Sequence, residues 1–244
     1  MKNVIFTLCE NKKLTDNVYK MTLDGDTSDI ERPGQFVNIK VDGLYLRRPI
    51  SVCDREGGKL TLIYKVVGHG TEIMSKMTPG KTLDLLSGLG NGYDTTVCGD
   101  TPLLLGGGVG VPPLYMLAKE LINAGRNVSV ILGFNTKDEV FYEEEFKALG
   151  CAVTVTTVDG SYGEKGFVTD ALPKEYSYCY TCGPLPMLKA VFNRCISGGQ
   201  LSFEERMGCG FGACMGCSCK TITGYKRICK DGPVLYKEEI LWEN

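Results

Sequence analysis

Cysteine is concentrated near the C-terminus of this 244-residue chain, where five of its twelve cysteines fall between residues 209 and 229. Cys209, Cys214 and Cys217 have the spacing C-x4-C-x2-C, and Cys229 adds a fourth thiol after a gap. This spacing is typical of loops that hold a 2Fe–2S cluster through four thiolates. Glycines between the cysteines let the backbone approach a cluster closely. We therefore predict these four cysteines as cluster ligands, with Cys219 as the alternative to Cys217 or Cys229.

Two other uses of clustered cysteines fit the sequence less well. Disulfides are typical of secreted proteins, and residues 1–10 lack the apolar run of a signal peptide. Structural zinc sites usually have two separated C-x2-C pairs, whereas this chain has one C-x4-C-x2-C run interleaved with glycine. A zinc-stapled binding module is therefore the non-enzyme alternative to an iron–sulfur protein.

A second candidate site is a glycine-rich turn between a short buried strand, residues 101–105, and apolar residues at helical spacing. Backbone N–H groups at such a strand-to-helix turn bind a pyrophosphate. The spacing is not G-x-G-x-x-G, so the usual dinucleotide fingerprint does not apply. A further loop follows the last strand of the same region, and we expect it to share a crevice with the turn and to contact nicotinamide. The turn is Gly106, Gly107, Gly108, Val109 and Gly110, and the loop is Cys182, Gly183 and Pro184.

The N-terminal part of the chain offers another pattern suited to phosphate. Arg48 and Ser51 lie at the edge of a predicted strand and supply a guanidinium fork and a hydroxyl. Gly68-His69-Gly70-Thr71 precedes a short helix and is a candidate second phosphate-binding turn. His69 is the only histidine, which excludes a metal site made of several histidines. It is also the only histidine that could activate a serine or cysteine nucleophile. We predict no acid–base catalytic residue in this chain.

Hydrophobic patterning predicts a multidomain protein that combines α+β and α/β architecture. Residues 1–97 contain short strands separated by turns, which is typical of a small antiparallel β-barrel. Strands then alternate with helices over residues 98–200, which predicts a doubly wound parallel sheet. Residues 201–244 form the third predicted domain, a small cluster-binding loop domain. The predicted barrel strands are Val4–Leu8, Val18–Leu23, Phe36–Val41, Leu60–Val66 and Thr82–Leu86.

Composition limits the range of partners. The net charge of −2 gives no basic surface for nucleic acid. No apolar stretch reaches the length of a membrane span, so we expect no membrane insertion. An N-terminus without the apolar run of a signal peptide favours a reducing, cytoplasmic location.

The same motifs occur in the same order in the ferredoxin–NADP reductase superfamily. With cysteines at the C-terminus, the chain resembles the electron-transfer subunits of B-type dihydroorotate dehydrogenases over residues 2–242. The resemblance implies an FAD-binding barrel, an NAD-binding domain and a 2Fe–2S cluster. It also implies FAD contacts at Arg48, Pro49, Ile50, Ser51, Ile63, Tyr64, Lys65, Gly70 and Thr71.

The resemblance further implies a partner, an FMN-containing catalytic subunit that oxidises dihydroorotate to orotate, in an α2β2 heterotetramer. A similar alternative is the small FAD and 2Fe–2S subunit of an NADH-dependent ferredoxin:NADP oxidoreductase. Ile50 replaces the tyrosine of the superfamily's common Arg-x-Tyr-Ser motif, so flavin stacking must come from elsewhere, with Tyr64 as a candidate. Residues 133–139 contain one lysine against two acids, which favours NAD over NADP.

Overall fold

The N-terminal part of the chain forms a closed six-stranded barrel in this computed structural model, which describes residues 1–242. The strand order is β1-β2-β5-β4-β3-β6, and every neighbouring pair is antiparallel. The predicted antiparallel barrel is therefore confirmed. Its strands are β1 (Lys2–Lys13), β2 (Val18–Asp24), β3 (Phe36–Ile39), β4 (Arg48–Glu56), β5 (Lys59–Lys65) and β6 (Thr82–Leu89), with helix α1 (His69–Ser75) after β5.

Alternation along the strands fills the barrel interior. In β6, Leu83 and Leu85 are buried, and they pack with residues such as Phe6 and Leu23 from neighbouring strands. Successive side chains of a strand point to opposite faces, so this alternation leaves the other face free to contact the rest of the protein. On the outer face of β3, Phe36 packs into a separate apolar cluster that joins the barrel to α4 (Leu185–Arg194), β12 (Gly199–Ser202) and the C-terminal segment.

The second part of the chain is a sheet flanked by helices. The order β10-β9-β8-β7-β11-β12 is parallel throughout and reverses on either side of β7, as in a doubly wound fold. The predicted parallel sheet is confirmed. Its strands are β7 (Pro102–Gly107), β8 (Ser129–Phe134), β9 (Ala152–Thr157), β10 (Glu164–Lys165), β11 (Tyr178–Cys182) and β12 (Gly199–Ser202), with helices α2 (Pro113–Asn123), α3 (Glu143–Ala148) and α4 (Leu185–Arg194).

The cysteine-rich segment is tied to that sheet. Strands β13 (Ser218–Thr221) and β14 (Gly224–Arg227) form an antiparallel hairpin, and β15 (Val234–Tyr236) then pairs antiparallel with β12. The three-domain division at 97/98 and 200/201 stays a prediction, and residues 243 and 244 of the third domain lie outside the described residues.

Helix α2 packs across β4 and connects the two large parts of the molecule. Lys119 Nζ of α2 lies 3.1 Å from Asp54 Oδ2 and 2.9 Å from Glu56 Oε2 on β4. Met116, also on α2, belongs to the barrel core. The turn that starts α2 is therefore held beside the barrel. Of the helices in residues 1–242, none has the length and apolar character needed to cross a membrane.

Candidate functional site

The four predicted ligand cysteines come together in two pairs. The thiol of Cys209 lies beside that of Cys214, and the thiol of Cys229 lies beside that of Cys217. The hairpin β13–β14 creates the second pair, because it brings the chain back from Cys217 to Cys229. The backbone N–H of Cys229 completes this contact by donating to Cys217 Sγ at 3.4 Å.

Backbone N–H groups surround the Cys209 sulfur of the first pair and favour its thiolate form. Ala213 and Cys214 donate their N–H groups to Cys209 Sγ at 3.2 and 3.4 Å. Burial alone raises the pKa of the Cys209 thiol, but hydrogen bonds from the backbone of Cys214, Phe211 and Ala213 and from the Cys214 thiol outweigh it and lower the pKa to about 6. Donors of this kind stabilise a metal-bound thiolate.

This donor set fits a binuclear cluster. A 2Fe–2S cluster has two irons, each of which needs two thiolates, and two thiol pairs match that demand. A Cβ added to Gly208 would lie 3.3 Å from Cys214 Sγ, so the backbone runs close to the sulfur. The cysteines therefore fit the cluster that their spacing predicts.

The glycine turn and the Cys182 loop also meet, at the point where the strand order of the sheet reverses. A Cβ on Gly110 would overlap the Cys182 carbonyl and come 2.6 Å from the Gly183 N. A Cβ on Gly183 would come 3.2 Å from the Gly107 N. Carboxyl ends of parallel strands at such a reversal form the ligand crevice of doubly wound sheets.

The turn differs in one respect from the sequence-based expectation. Gly108–Gly110 form a short 3-10 turn, and α2 begins later, at Pro113, with Pro112 as its cap. Proline has no N–H, so the donors available to a phosphate belong to the glycine segment rather than to the first turn of α2. Gly108 has a φ of +52°, which favours glycine at this position.

Cys182 lies at the base of this crevice as a neutral thiol. Burial raises the pKa of Cys182 to about 12, although a hydrogen bond with Ser202 opposes this shift. Ser202 is adjacent because Cys182 and Ser202 are register partners in β11 and β12. Such a thiol offers a small, uncharged contact to a nicotinamide ring and is not a nucleophile at neutral pH.

Arg48 and Gly70, predicted from separate motifs to contact FAD, touch each other. A Cβ on Gly70 would overlap Arg48 Nε and lie 2.7 Å from its Cζ, so the guanidinium crosses directly over Gly70. Thr71 has a different role in the local structure: its hydroxyl accepts N–H groups from Val67 at 3.0 Å and Gly68 at 3.3 Å. Thr71 thereby shapes the turn on which Arg48 rests.

Tyr64 does not offer the flavin a stacking surface, which corrects that sequence-based suggestion. Its side chain lies in the barrel core with 2% exposure, and its hydroxyl donates to Asn11 Oδ1 at 3.0 Å. The Asn11 amide in turn donates to the carbonyls of Met74 and Met77, beside α1. A ring already covered on both faces by protein has no free face for a ligand, and Ile63 is similarly buried.

A shallow, open cleft lies between the barrel and the sheet. Lys65 from β5 faces Gly108 and Val109 across it, so a predicted FAD contact and two predicted NAD contacts share one space. Phe134 and Glu139 also line this cleft, and both belong to the segment 133–139 from which the sequence predicted NAD rather than NADP. Sequence reasoning missed the other lining residues, Asn17, Val18 and Phe141.

Comparisons with known proteins agree with this arrangement. A family model for the iron–sulfur cluster binding domain of dihydroorotate dehydrogenase B matches residues 204–241, and one for an oxidoreductase NAD-binding domain matches residues 104–193. The match to an iron–sulfur cluster binding domain disfavours the alternative of a binding module stabilised by zinc.

Solved structures with the same fold include one described as an NADH-dependent reduced ferredoxin–NADP oxidoreductase, with a TM-score of 0.88 and 32% identity over 97% of this chain and 90% of that one. A cytochrome P450 reductase from Amycolatopsis has a TM-score of 0.70 at 22% identity over 80% of this chain and 67% of that one, and shows the shared fold alone.

Two curated relatives match nearly the whole chain, and both are named dihydroorotate dehydrogenase B (NAD(+)), electron transfer subunit. The protein from Fusobacterium nucleatum is 45% identical over 96% of each chain, and that from Bacillus pumilus is 45% identical over 98% of each chain. At this identity and coverage, the chain belongs to the family of electron-transfer subunits of NAD(+)-dependent dihydroorotate dehydrogenase B.

Proposed function

We propose that this chain passes electrons between an FMN-containing dihydroorotate dehydrogenase catalytic subunit and NAD, using FAD and a 2Fe–2S cluster. When bound, FAD exchanges a hydride with nicotinamide and single electrons with the cluster. The residues of this chain supply binding and orientation. Cys209, Cys214, Cys217 and Cys229 hold the cluster. The FAD contacts are Arg48, Pro49, Ile50, Ser51, Lys65, Gly70 and Thr71, and the NAD contacts are Gly106, Gly107, Gly108, Val109, Gly110, Cys182, Gly183 and Pro184.

The observation that carries this proposal is the packing of the cysteine pairs against the flavin-binding barrel. Phe36 of β3 lies in the same apolar cluster as Cys217 and Cys229. Strand β3 pairs with β4, where Phe36 stands opposite Ser51 of the predicted flavin motif. Neighbouring strands are about 4.8 Å apart, so the cysteine pairs pack against the strand next to the one that carries the predicted flavin motif.

The opposite side of the cysteine loop supports a partner subunit. Cys214 is exposed, and the apolar side chains of Phe211 and Met215 beside it are also exposed. Exposed apolar residues clustered at one place are typical of protein interfaces. We infer that the catalytic subunit binds here, in an α2β2 assembly of cytoplasmic location, as the family resemblance implies.

The loop after β8 supports NAD as the nucleotide. Glu139 accepts hydrogen bonds from the N–H of Asn135 at 3.0 Å and from its amide at 2.8 Å, which fixes a carboxylate beside the cleft. A second acid, Asp138, adjoins it. Negative charge at this position disfavours the extra phosphate of NADP.

The small subunit of an NADH-dependent ferredoxin:NADP oxidoreductase is the second candidate, because the structure with a TM-score of 0.88 has that description. Identity favours the first candidate, at 45% against 32%. The partner distinguishes them: an FMN dehydrogenase chain supports the first, and a larger iron–sulfur flavoprotein supports the second.

The test uses anaerobically purified protein combined with the catalytic chain. Flavin and iron–sulfur bands are expected in the visible spectrum, and dihydroorotate is expected to reduce NAD. Cys214→Ser should abolish this transfer while leaving NADH oxidation by a two-electron acceptor dye. Cys9→Ser, an exposed thiol on the barrel, is the matched control. A colourless protein, or equal survival of both activities in Cys214→Ser, contradicts the proposal.

A further inference from the structure

Asn38 of β3 connects the barrel to the cluster loop, residues 208–217. Its Nδ2 donates to the carbonyl of Cys209 at 3.4 Å. A Cβ on Gly210 would lie 3.3 Å from Asn38 Cγ, so the loop backbone rests directly against the amide. Gly210 has a φ of +80°, a conformation that allows this close approach.

The backbone of Asn38 is fixed to the strand that carries the flavin motif. Asn38 stands opposite Pro49 in the β3–β4 ladder. Arg47, which precedes that motif, donates to the carbonyl of Asn38 at 3.3 Å and is anchored on Asp84 at 2.9 Å. One residue therefore contacts the cluster loop through its side chain and the flavin strand through its backbone.

Stability of the barrel does not explain an amide at this position. Asn38 is 1% exposed, and its Oδ1 accepts no hydrogen bond from residues 1–242. Its neighbours Val37 and Ile39 fill the barrel interior, and Phe36 on its own outer face is apolar. A buried, half-satisfied amide is unfavourable for folding, so its presence needs another reason.

We propose that Asn38 is a positioning residue that holds the Cys209 side of the cluster at a fixed place beside the flavin strand and tunes its reduction potential. This inference rests on the proposed function. Hydrogen bonds and dipoles around the ligand sulfurs set the potential of an iron–sulfur cluster. The positive end of the Asn38 amide faces the loop and stabilises the extra negative charge of the reduced cluster.

The sign of the effect follows from that charge. Asn38→Ala removes the positive end of the dipole, so the reduced cluster loses stabilisation and its midpoint potential becomes more negative. Asn38→Asp replaces the donor with a carboxylate beside the Cys209 carbonyl, which shifts the potential further in the same direction. The midpoint potential is therefore expected to be least negative in the wild type, more negative in Asn38→Ala and most negative in Asn38→Asp.

The experiment measures the midpoint potential by redox titration of the EPR signal of the reduced cluster in the loaded protein. Gln200→Ala is the matched control, since Gln200 of β12 is also 1% exposed and its amide bonds the backbone of Asp94, between β6 and β7, rather than the cluster loop. A more negative potential in Asn38→Ala, with the control unchanged, supports the proposal. Unchanged potential and EPR spectrum in Asn38→Ala, with the cluster present, overturn it.

Two further outcomes of the experiment also have a defined meaning. If Asn38→Asp fails to retain its cluster, the comparison of Asn38→Ala with wild type decides alone. If Gln200→Ala shifts the potential as much as Asn38→Ala, the effect is general destabilisation and the proposal is wrong. Absence of any cluster signal in the wild type instead contradicts the proposed function, so the two failures are distinguishable.

Discussion

At the residue level, the contact between Arg48 and Gly70 joins two predicted flavin motifs that are 22 positions apart. The guanidinium lies over the glycine because no side chain occupies that space. Gly70→Ala should displace Arg48 and weaken FAD binding by about tenfold or more, as expected for losing one charge-assisted contact to phosphate. Flavin release, followed by fluorescence, measures the effect.

A glycine two residues away provides the control for this prediction. Gly68 has an extended φ of 178°, and a Cβ there would meet nothing within 4 Å, so Gly68→Ala should keep wild-type FAD affinity. The effects of Gly70→Ala and Arg48→Ala should not add in the double variant, because both remove the same contact. Fully additive effects would show that Gly70 acts independently of Arg48.

Single residues also show where sequence reasoning reached its limit. The cysteine spacing predicted four cluster ligands, because short-range spacing determines how a loop surrounds a cluster, whereas the approach of Cys217 to Cys229 depends on the β13–β14 hairpin. The burial of Tyr64 was not predictable, since its hydroxyl is bonded to Asn11, 53 residues earlier in the chain. The same holds for Asn38, whose partner Cys209 is 171 residues away.

At the element level, the glycine turn and the Cys182 loop depend on a close backbone contact. Gly110→Ala would place a Cβ against the Cys182–Gly183 peptide, so the two loops must separate. Small misplacements at a binding site cost up to about 100-fold in rate, and we expect at least a tenfold loss in kcat/KM for NADH. Steady-state oxidation of NADH by a dye measures it.

Gly57→Ala controls for the general effect of replacing a glycine. Gly57 lies in the β4–β5 turn with a φ of +54° and open space around it, so alanine there strains the backbone without moving the nucleotide crevice. It should lower thermal stability and leave kcat/KM for NADH unchanged. An equal fall in kcat/KM in both variants would contradict a specific role for the Gly110 contact.

Several elements lay beyond sequence prediction for a physical reason. Strand β12 contains Gly199 and the polar Gln200, and its position depends on the two hydrogen bonds between the Gln200 amide and Asp94. Strand β15 pairs with β12 from more than 30 residues away. Long-range pairing fixes such short strands, whereas local patterning suffices for long alternating strands such as β6.

At the level of the whole molecule, the order of motifs predicted a barrel and a parallel sheet, but not how they pack. The junction consists of α2 lying on β4, with Lys119 bonded to Asp54 and Glu56. Cys53 of β4 is fully buried in the same junction, within the core of the nucleotide-binding sheet. No local pattern in β4 marks a residue that leaves the barrel core to pack against another part of the chain.

Burial of Cys53 predicts how the stability of the whole protein depends on pH. Burial raises the pKa of Cys53 from 9.0 to about 12, so this thiol stays neutral in the folded protein after its unfolded form has ionised. The contribution of the buried Cys53 thiol to the free energy of unfolding is therefore complete below pH 9 and is lost as pH rises toward 12. Between those values each such thiol lowers the free energy of unfolding by about 1.4 kcal/mol per pH unit.

Denaturant unfolding between pH 7 and 11 measures this dependence, with Cys53→Ala compared against the parent protein. Buried groups away from Cys53 titrate equally in both proteins, so the difference between the two curves reports Cys53 together with Tyr142, which is hydrogen-bonded to it. The variant should be less stable at pH 7, because it loses buried sulfur. The difference in free energy of unfolding between the two proteins should then become smaller above pH 9. A gap that stays constant to pH 11 would show that Cys53 ionises alike in the folded and unfolded chains.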